Sequence, residues 1–256
     1  MKINNAKNKY DLPTDSERAI IELKRIHQDV DYKKIMGDSR VLFIGEQHYN
    51  YKIREHITKH SVQLKAAGVT HYAIEARPST NWALRKLNDG GDVDLSGIDL
   101  GPGKGPTYER AIRTLVSEGI KIFAVDLNVY KNHSAEERES HITSNIKKIL
   151  DMGSDVKVAV LIGELHAHKE ALIYGVPTTN ERLVKDGIQT VAVNFVGGAS
   201  SGPLILMDSV VKAGLNAREF MIEVASSEIV AVKYRPSADF VIYLPRKSAL
   251  ESAQRA

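Results

Sequence analysis

The stretch from Val158 to His166, VAVLIGELH, joins a short apolar run to a polar end. An apolar run of this length that stops at a glycine is typical of a β-strand covered on both faces of a sheet. The same order occurs earlier, where VLFI at Val41–Ile44 is followed by GEQH at Gly45–His48. The sequence therefore contains two copies of Gly-Glu-x-His, each directly after a predicted buried strand.

The two copies predict one functional edge. We expect the glycine of each copy to let the backbone turn sharply where the strand ends. The residues that follow would then face the mouth of the sheet, and in open α/β sheets ligands bind at the carboxyl ends of the strands. If the two strands lie close together, two imidazoles and two carboxylates meet at this edge.

Further apolar runs alternate with helical patterns along the chain. The predicted strands are Val41–Ile44, Tyr72–Ile74, Ile122–Val125, Val158–Ile162, Thr190–Phe195 and Phe240–Leu244. Strands separated by helix-length intervals predict an α/β fold with a mainly parallel sheet. After Ser200 the pattern weakens, and we expect a strand at Leu204–Met207 and a short helix at Val210–Ala213.

The domain organisation is predicted from length and local composition. A chain of 256 residues is compatible with one large domain, residues 1–256. Residues 1–37 are predicted to be an N-terminal helical extension, in which a polar arm ends at Thr14 and Asp15 or Ser16 caps a helix. Residues 88–107 are rich in glycine and aspartate, which predicts a long loop or lid.

Composition narrows the classes of function. The chain is 43% apolar and 26% charged, which is typical of a globular protein with a sizeable core. The formal charge of +3 is spread without a basic block, which argues against a nucleic-acid partner. The absence of cysteine excludes disulfides and thiolate metal sites.

The sequence also predicts the cellular location of the protein. Its first residues are polar, and no window holds the ~20 apolar residues that span a bilayer. We therefore expect a cytoplasmic protein without a membrane span, while export of an effector without a cleaved signal stays open. The sequence leaves the oligomeric state open.

Histidines and carboxylates together suit two kinds of site at neutral pH. They can hold a divalent metal that lowers the pKa of a bound water. Alternatively, a histidine takes a proton from water while a carboxylate fixes its tautomer. The predicted catalytic residues are His48, His166, Glu46, Glu75 and Arg54.

If a metal is present, its predicted ligands are His48, His166, Glu75 and Glu164. Nitrogen and oxygen ligands without thiolates favour Zn, Mn or Fe. The residues predicted to bind substrate are Arg138, Asp126 and Lys104, and an arginine could stabilise developing negative charge. A structural alternative stays open, because an acid after a strand is often only a helix cap or a turn residue.

The remaining histidines are interpreted as structural. His56 and His60 are spaced i, i+4 and could share a metal, but Lys52 and Lys59 flank them and no HExxH pattern is present, which favours a solvated helix face. Surface positions are predicted for four further histidines, His27, His71, His133 and His168.

Several short motifs together resemble a known superfamily. They are GEQH at Gly45–His48, IEAR at Ile74–Arg77, GELHAHK at Gly163–Lys169, and GVP at Gly175–Pro177. These motifs resemble the erythromycin esterase-like/ChaN-like superfamily, which also includes the TraB and Tiki proteins and a domain of the Pasteurella toxin. The resemblance covers roughly residues 38–246.

The resemblance implies a three-layer α/β/α domain with its cleft at the strand carboxyl ends. His48, His166, Glu46 and Glu75 match the motif positions. It implies a hydrolase of ester or amide bonds, with a small-molecule or peptide substrate, with a divalent metal as in the Tiki branch or without one as in the esterase branch. The alternatives that it leaves open are a haem- or metal-binding module without turnover, as the ChaN branch suggests, and a toxin or effector domain.

Overall fold

The computed structural model describes residues 14–48, 50–101, 105–127, 133–170, 172–173, 175–198, 204–227, 230 and 237–245. Lys104, which is predicted to bind substrate, lies outside these residues. Among the described helices, none combines the length and the apolar character that crossing a bilayer requires.

The described residues form helices and strands that alternate through most of the chain. The helices are α1 Asp15–Ile26, α2 Tyr32–Met36, α3 Tyr51–Lys59, α4 Ser61–Ala66, α5 Asn81–Asn88, α6 Pro106–Ser117, α7 Ala135–Leu150, α8 Glu164–Ala167, α9 Thr179–Lys185 and α10 Leu204–Lys212. The strands are β1 Val41–Glu46, β2 His71–Ile74, β3 Lys121–Ala124, β4 Val158–Gly163, β5 Leu172–Ile173, β6 Val176–Pro177, β7 Thr190–Gly197, β8 Phe220–Glu223 and β9 Phe240–Leu244.

Seven of these strands form one sheet in the order β3-β2-β4-β1-β7-β9-β8. All neighbouring pairs are parallel except β8 and β9, and β5 and β6 form a separate short hairpin. The mainly parallel sheet predicted from the alternating pattern is confirmed. The two motif-bearing strands, β1 and β4, are hydrogen-bonded neighbours near the middle of the sheet.

Successive residues of a strand point to opposite faces, and both faces of this sheet are covered. In β1, Leu42 and Ile44 join a core formed with α2 to α6, whereas Val41 and Phe43 join a core formed with α7 to α9. At the β8 edge, α1 and α10 pack on that second face through residues such as Val210. This arrangement confirms the three-layer α/β/α fold. Each fully buried side chain such as Phe43 contributes about 1.5–3 kcal/mol to stability.

Helix α7 supplies residues to the candidate site, and its start is fixed locally. The side chain of Ser134 accepts from the backbone N–H of Glu137, whose carboxylate accepts from the backbone N–H of Ser134. This capping box satisfies two backbone donors at the helix start. Helix α1 has the same device at Thr14 and Glu17, one position before the predicted caps.

The glycines of the two motifs do not serve as turn residues. Gly163 has a φ of −50°, and neither it nor Gly45 is among the residues with positive φ. A Cβ on Gly45 would lie 2.6 Å from Oδ1 of Asn194 and 3.3 Å from Cα of Glu164. The predicted turn at Gly45 is wrong, because β1 continues to Glu46. Gly45 is required because α8 and β7 approach the β1 backbone too closely for a side chain.

The sequence patterns fail mainly in the last quarter of the chain. Leu204–Met207 is not a strand but the start of α10, where Leu206 and Val210, four residues apart, are buried on one face. Strand β8 is not among the predicted strands.

Candidate functional site at the carboxyl edge of the sheet

The predicted site residues follow the carboxyl ends of neighbouring strands. Glu46 is the last residue of β1, and Glu75 comes directly after β2. Asp126 lies two residues after β3, and Gly163 ends β4. Because β1 to β4 are parallel, these ends meet at one edge of the sheet.

His48 is paired with the glutamate of its own motif. Its Nδ1 lies 3.2 Å from Oε1 of Glu46. The Glu46 carboxylate is buried, and Nη2 of Arg54 in α3 donates to both of its oxygens at 3.0 and 3.1 Å. Arg54 in turn lies over the ring of Tyr108 in α6, 4.3 Å from its centroid. The orientation of the imidazole is thus fixed by a carboxylate that is itself held in place.

These contacts change the pKa of His48. The hydrogen bond to Glu46 has the largest effect and raises the pKa, burial lowers it, and the nearby charge of Glu75 raises it. The result is a pKa above the ordinary value of the imidazole. The site therefore stabilises the protonated form of this ring.

Glu75 belongs to a second charged group beside the first. Arg138 in α7 contacts Glu75 through Nη2 and holds Asp126 at 2.9 Å through Nε and 2.8 Å through Nη2. The other oxygen of Glu75 accepts a 2.6 Å hydrogen bond from the backbone N–H of Gly163. Both predicted acids thus have a specific partner, and Arg138 links β2 and β3 to α7.

Gly163 is the point where the two groups meet. A Cβ at this position would lie 3.2 Å from Cε1 and Nε2 of His48 and 3.4 Å from Oε2 of Glu75. The His48 ring and the Glu75 carboxylate therefore both lie against the Gly163 backbone. A larger residue at this position would push the imidazole away.

The second motif is arranged differently. His166, in α8, contacts the buried Glu139 of α7 through Nδ1. Glu139 also accepts from the backbone N–H and the hydroxyl of Thr179, at 2.6 and 2.7 Å. Glu164 accepts instead from the side chains of Asn194 at 3.2 Å and Gln47 at 3.4 Å. The glutamate and histidine of this copy therefore have separate partners.

The residues predicted as metal ligands do not assemble into one ligand set. Within the described part of the chain, only one group of three or more His, Asp or Glu side chains has its ligand atoms within 4.8 Å of one another, and it contains none of His48, His166, Glu75 and Glu164. The reason is that Glu75 and His166 already have other partners. Glu75 contacts Arg138 and the backbone N–H of Gly163, and His166 contacts Glu139. The predicted metal centre therefore does not fit this arrangement.

The group that does qualify consists of His56, His60 and Glu219. The prediction that His56 and His60 lie on a solvated helix face is wrong, because both are buried. Burial lowers the pKa of His56 to about 4, so its ring is neutral at neutral pH. The i, i+4 spacing was the available signal, whereas Glu219 is too distant in sequence to be recognised. His71, also predicted at the surface, is buried at the start of β2.

The segment predicted as a loop or lid reaches the site. Val93, Leu95 and Leu100 are buried in the core shared with α5 and α6. Gly101, at φ +93°, passes so close to the end of β2 that a Cβ would lie 2.0 Å from the carbonyl oxygen of Glu75. The described part of this segment is therefore anchored beside the predicted catalytic glutamate.

One further sequence signal stands outside the predictions above. Residues 198–202 read Gly-Ala-Ser-Ser-Gly, which matches the Gly-x-Ser-x-Gly pattern that can present a nucleophilic serine after a strand. The pattern begins directly after β7. Ser200 lies outside the described residues, so the pattern is a candidate from sequence alone.

No protein-family model matches the chain, and no curated protein sequence matches it. Solved structures do match. A succinoglycan biosynthesis protein aligns over 92% of this chain and 98% of its own length, with a TM-score of 0.66 and 8% identity. The type III effector HopBA1 aligns over 84% of this chain and 92% of its own, with a TM-score of 0.50 and 14% identity.

The C-terminal region of the Pasteurella multocida toxin, described as containing a thiol-protease-like catalytic triad, is also similar. It aligns over 65% of this chain and 24% of the toxin structure, with a TM-score of 0.50 and 14% identity. At these identities the likeness shows the fold alone. The α/β fold that the resemblance implies is thus also found in these solved structures.

Proposed function

We propose that the protein is a hydrolase in which His48 activates water to attack an ester or amide carbonyl. The observation that carries the proposal is the fixed pair of His48 and Glu46, with Nδ1 3.2 Å from the carboxylate. The His48 side chain is 32% exposed, so a substrate can reach it. A histidine that is oriented by a buried carboxylate and open to solvent has the arrangement of a general base.

The proposed mechanism follows from the tautomer that this pair favours. Nδ1–H of His48 donates to Glu46, so Nε2 carries the lone pair. Nε2 takes a proton from water, and the oxygen of that water forms a bond to the carbonyl carbon. The imidazolium returns the proton to the leaving alcohol or amine as the tetrahedral intermediate collapses. Glu46 stabilises the imidazolium, in agreement with the raised pKa of His48.

The two arginines receive different roles in this mechanism. The side chain of Arg138 is 29% exposed, whereas that of Arg54 is 3% exposed and engaged with Glu46. Only Arg138 can therefore face a substrate, and we assign to it stabilisation of the oxyanion. Arg54 is a positioning residue that acts through Glu46. Glu75 and Asp126 hold Arg138 in place, and the site needs no metal for any of these steps.

The nucleophile distinguishes this proposal from cysteine chemistry. The Pasteurella toxin is described as having a thiol-protease-like triad, but this chain contains no cysteine. Water activated by His48 is therefore the proposed nucleophile. Ser200 is the competing candidate, because it occupies the serine position of a Gly-x-Ser-x-Gly pattern.

The test is hydrolysis of a panel of chromogenic esters and amides by wild type, His48→Ala and Ser200→Ala. The proposal predicts turnover that is lost in His48→Ala and retained in Ser200→Ala. Loss in Ser200→Ala with a covalent acyl-enzyme in the wild type would replace water by serine. No turnover, combined with a haem Soret band that His48→Ala abolishes, would support the haem-binding alternative instead.

An effector or toxin domain is a second candidate function, and it is compatible with hydrolysis. Its support is that HopBA1, an effector, shares the fold over 92% of its own length. Inducible expression in bacterial and eukaryotic cells tests this candidate. Growth arrest that requires His48 would support a toxic hydrolase, whereas unimpaired growth in both hosts would argue against the effector role.

A further inference from the structure

We propose that His56, His60 and Glu219 form a binding site for a divalent transition metal of the zinc type, separate from the His48 site. Two imidazoles and one carboxylate are a common ligand set for Zn²⁺. His56 lies within α3, and His60 directly follows the last residue of this helix. Glu219 directly precedes β8. The site would thus join two parts of the chain that are 159 positions apart.

The distances between the ligand atoms suit a metal. Nε2 of His60 lies 2.9 Å from Oε2 of Glu219, and Nδ1 of His56 lies 3.4 Å from the same oxygen. Ligand atoms about 2.0–2.1 Å from a tetrahedral zinc ion are about 3.3 Å apart. All three ligand atoms lie within 4.8 Å of one another, so side-chain adjustments can enclose an ion, and three protein ligands leave one position for water.

His56 provides an independent indication of a ligand. Its ring is fully buried, and Nδ1 makes no hydrogen bond of good geometry, although it lies 3.4 Å from Oε2 of Glu219. The other nitrogen, Nε2, lies 2.8 Å from the hydroxyl of the buried Tyr32. A second contact of this kind orients histidines that bind metals, and when the hydroxyl accepts from Nε2–H, the lone pair of Nδ1 is directed toward the ion. A buried nitrogen without a partner is otherwise costly.

The competing explanation is a simple network of ion pairs. Nζ of Lys59 lies 2.8 Å from Oε2 of Glu219, where it would neutralise the carboxylate in place of a metal. Lys59 is 62% exposed, however, and an exposed ion pair of this kind contributes only about 0–1 kcal/mol. A metal could therefore displace the lysine into solvent, and the partly exposed Glu219 gives it a route to the site.

The location suggests what the metal would do. Helix α3 also carries Arg54, which holds the Glu46 carboxylate two residues before His48. An ion bound near the carboxyl end of α3 would fix this helix to the segment before β8. The proposed metal is therefore structural, and its binding does not depend on whether His48 catalyses hydrolysis.

Metal binding is tested on the full chain, stripped of metal, by calorimetric titration with Zn²⁺ and by the visible absorption of bound Co²⁺. We expect one equivalent to bind, with the absorption of a tetrahedral Co²⁺ site. His56→Gln and Glu219→Gln should each weaken binding at least tenfold. Lys59→Met should strengthen it, because it removes the cation that competes for Oε2 of Glu219.

Two histidine variants outside the cluster serve as controls. His71→Gln changes a buried histidine in β2, and His48→Ala changes the proposed catalytic base, so both should keep one equivalent of metal. Wild type that binds no stoichiometric metal would overturn the proposal. An affinity for metal that is unchanged in both Glu219→Gln and Lys59→Met would also overturn it. So would metal binding that is lost in His48→Ala and kept in His56→Gln. The Lys59→Met result remains decisive if a ligand variant does not fold.

Discussion

The two copies of Gly-Glu-x-His have the same spacing but different surroundings. They follow neighbouring parallel strands, yet the strands pair with an offset of one residue, since Glu46 lies opposite Gly163. Glu46 is therefore the last residue of β1, whereas Glu164 is the first residue of α8. One glutamate continues the extended strand, and the other begins a helical turn.

This offset gives the two histidines different partners and exposure. His48 pairs with the glutamate of its own motif, and His166 pairs with Glu139 of α7. The side chain of His48 is 32% exposed and that of His166 is 10% exposed. The comparison teaches that a repeated motif brings residues to one edge, whereas packing against other elements decides which of them can meet a substrate.

The largest difference is expected in catalysis. His48→Ala should lower kcat/KM by about 10²–10⁴-fold, the usual contribution of a general base. His166→Ala should cause a smaller loss, because the ring is nearly buried against Glu139. Steady-state kinetics with the best substrate of the ester and amide panel measures both values. Equal losses in both variants would restore the prediction that the two imidazoles act together.

For the free energy of unfolding, the larger effect is expected from His166→Ala. His166→Ala removes the imidazole partner of the buried Glu139, and the loss of one partner from a buried hydrogen bond costs about 1–3 kcal/mol. Denaturant unfolding measures the change. The control is His133→Ala, an exposed histidine, for which a change within ~0.5 kcal/mol is expected. A His166→Ala variant as stable as this control would show that the Glu139 contact is not structural.

A third effect concerns pH. Because Glu46 raises the pKa of His48, the unprotonated base forms only above the ordinary range of histidine, and activity should rise with pH through that raised value. Glu46→Gln removes the carboxylate charge, so the acidic limb of the kcat/KM profile should move to lower pH. An unmoved limb would mean that a different group controls the profile.

The smallest effect is expected at the variable position of the motif. Leu165 in the second copy is 60% exposed, so Leu165→Ala should change the free energy of unfolding by less than ~0.5 kcal/mol. It should also leave the acidic limb of the pH profile in place. A large loss of turnover in this variant would instead identify Leu165 as a contact for the substrate.

Much of the fold could be predicted from the apolar runs. Val41–Ile44 and Val158–Ile162 are buried on both faces, so their sequences carry no amphipathic alternation and indicate central parallel strands. Strand β8 was harder to recognise, because it is a short edge strand of only four residues. Leu204–Met207 was ambiguous, because a short apolar run suits a strand or a buried helix equally well.

The site could be predicted only in part. The sequence places Glu46, His48 and Glu75 at the carboxyl ends of predicted parallel strands, and parallel strands end at a common edge of the sheet. The partners Glu139 and Glu219 did not follow, because they come from remote elements whose register depends on the complete packing. The burial of His56 and His60 was missed for the same reason, since their charged neighbours suggested a solvated face.

The central claim is that Glu46 makes His48 the base of this site, and its most direct test needs no substrate. NMR titration of the isotope-labelled imidazoles gives the pKa of each histidine in wild type and in Glu46→Gln. The account predicts a pKa for His48 above the ordinary value of about 6.5, and a lower one in Glu46→Gln. A wild-type pKa at or below the ordinary value, unchanged in Glu46→Gln, would contradict it.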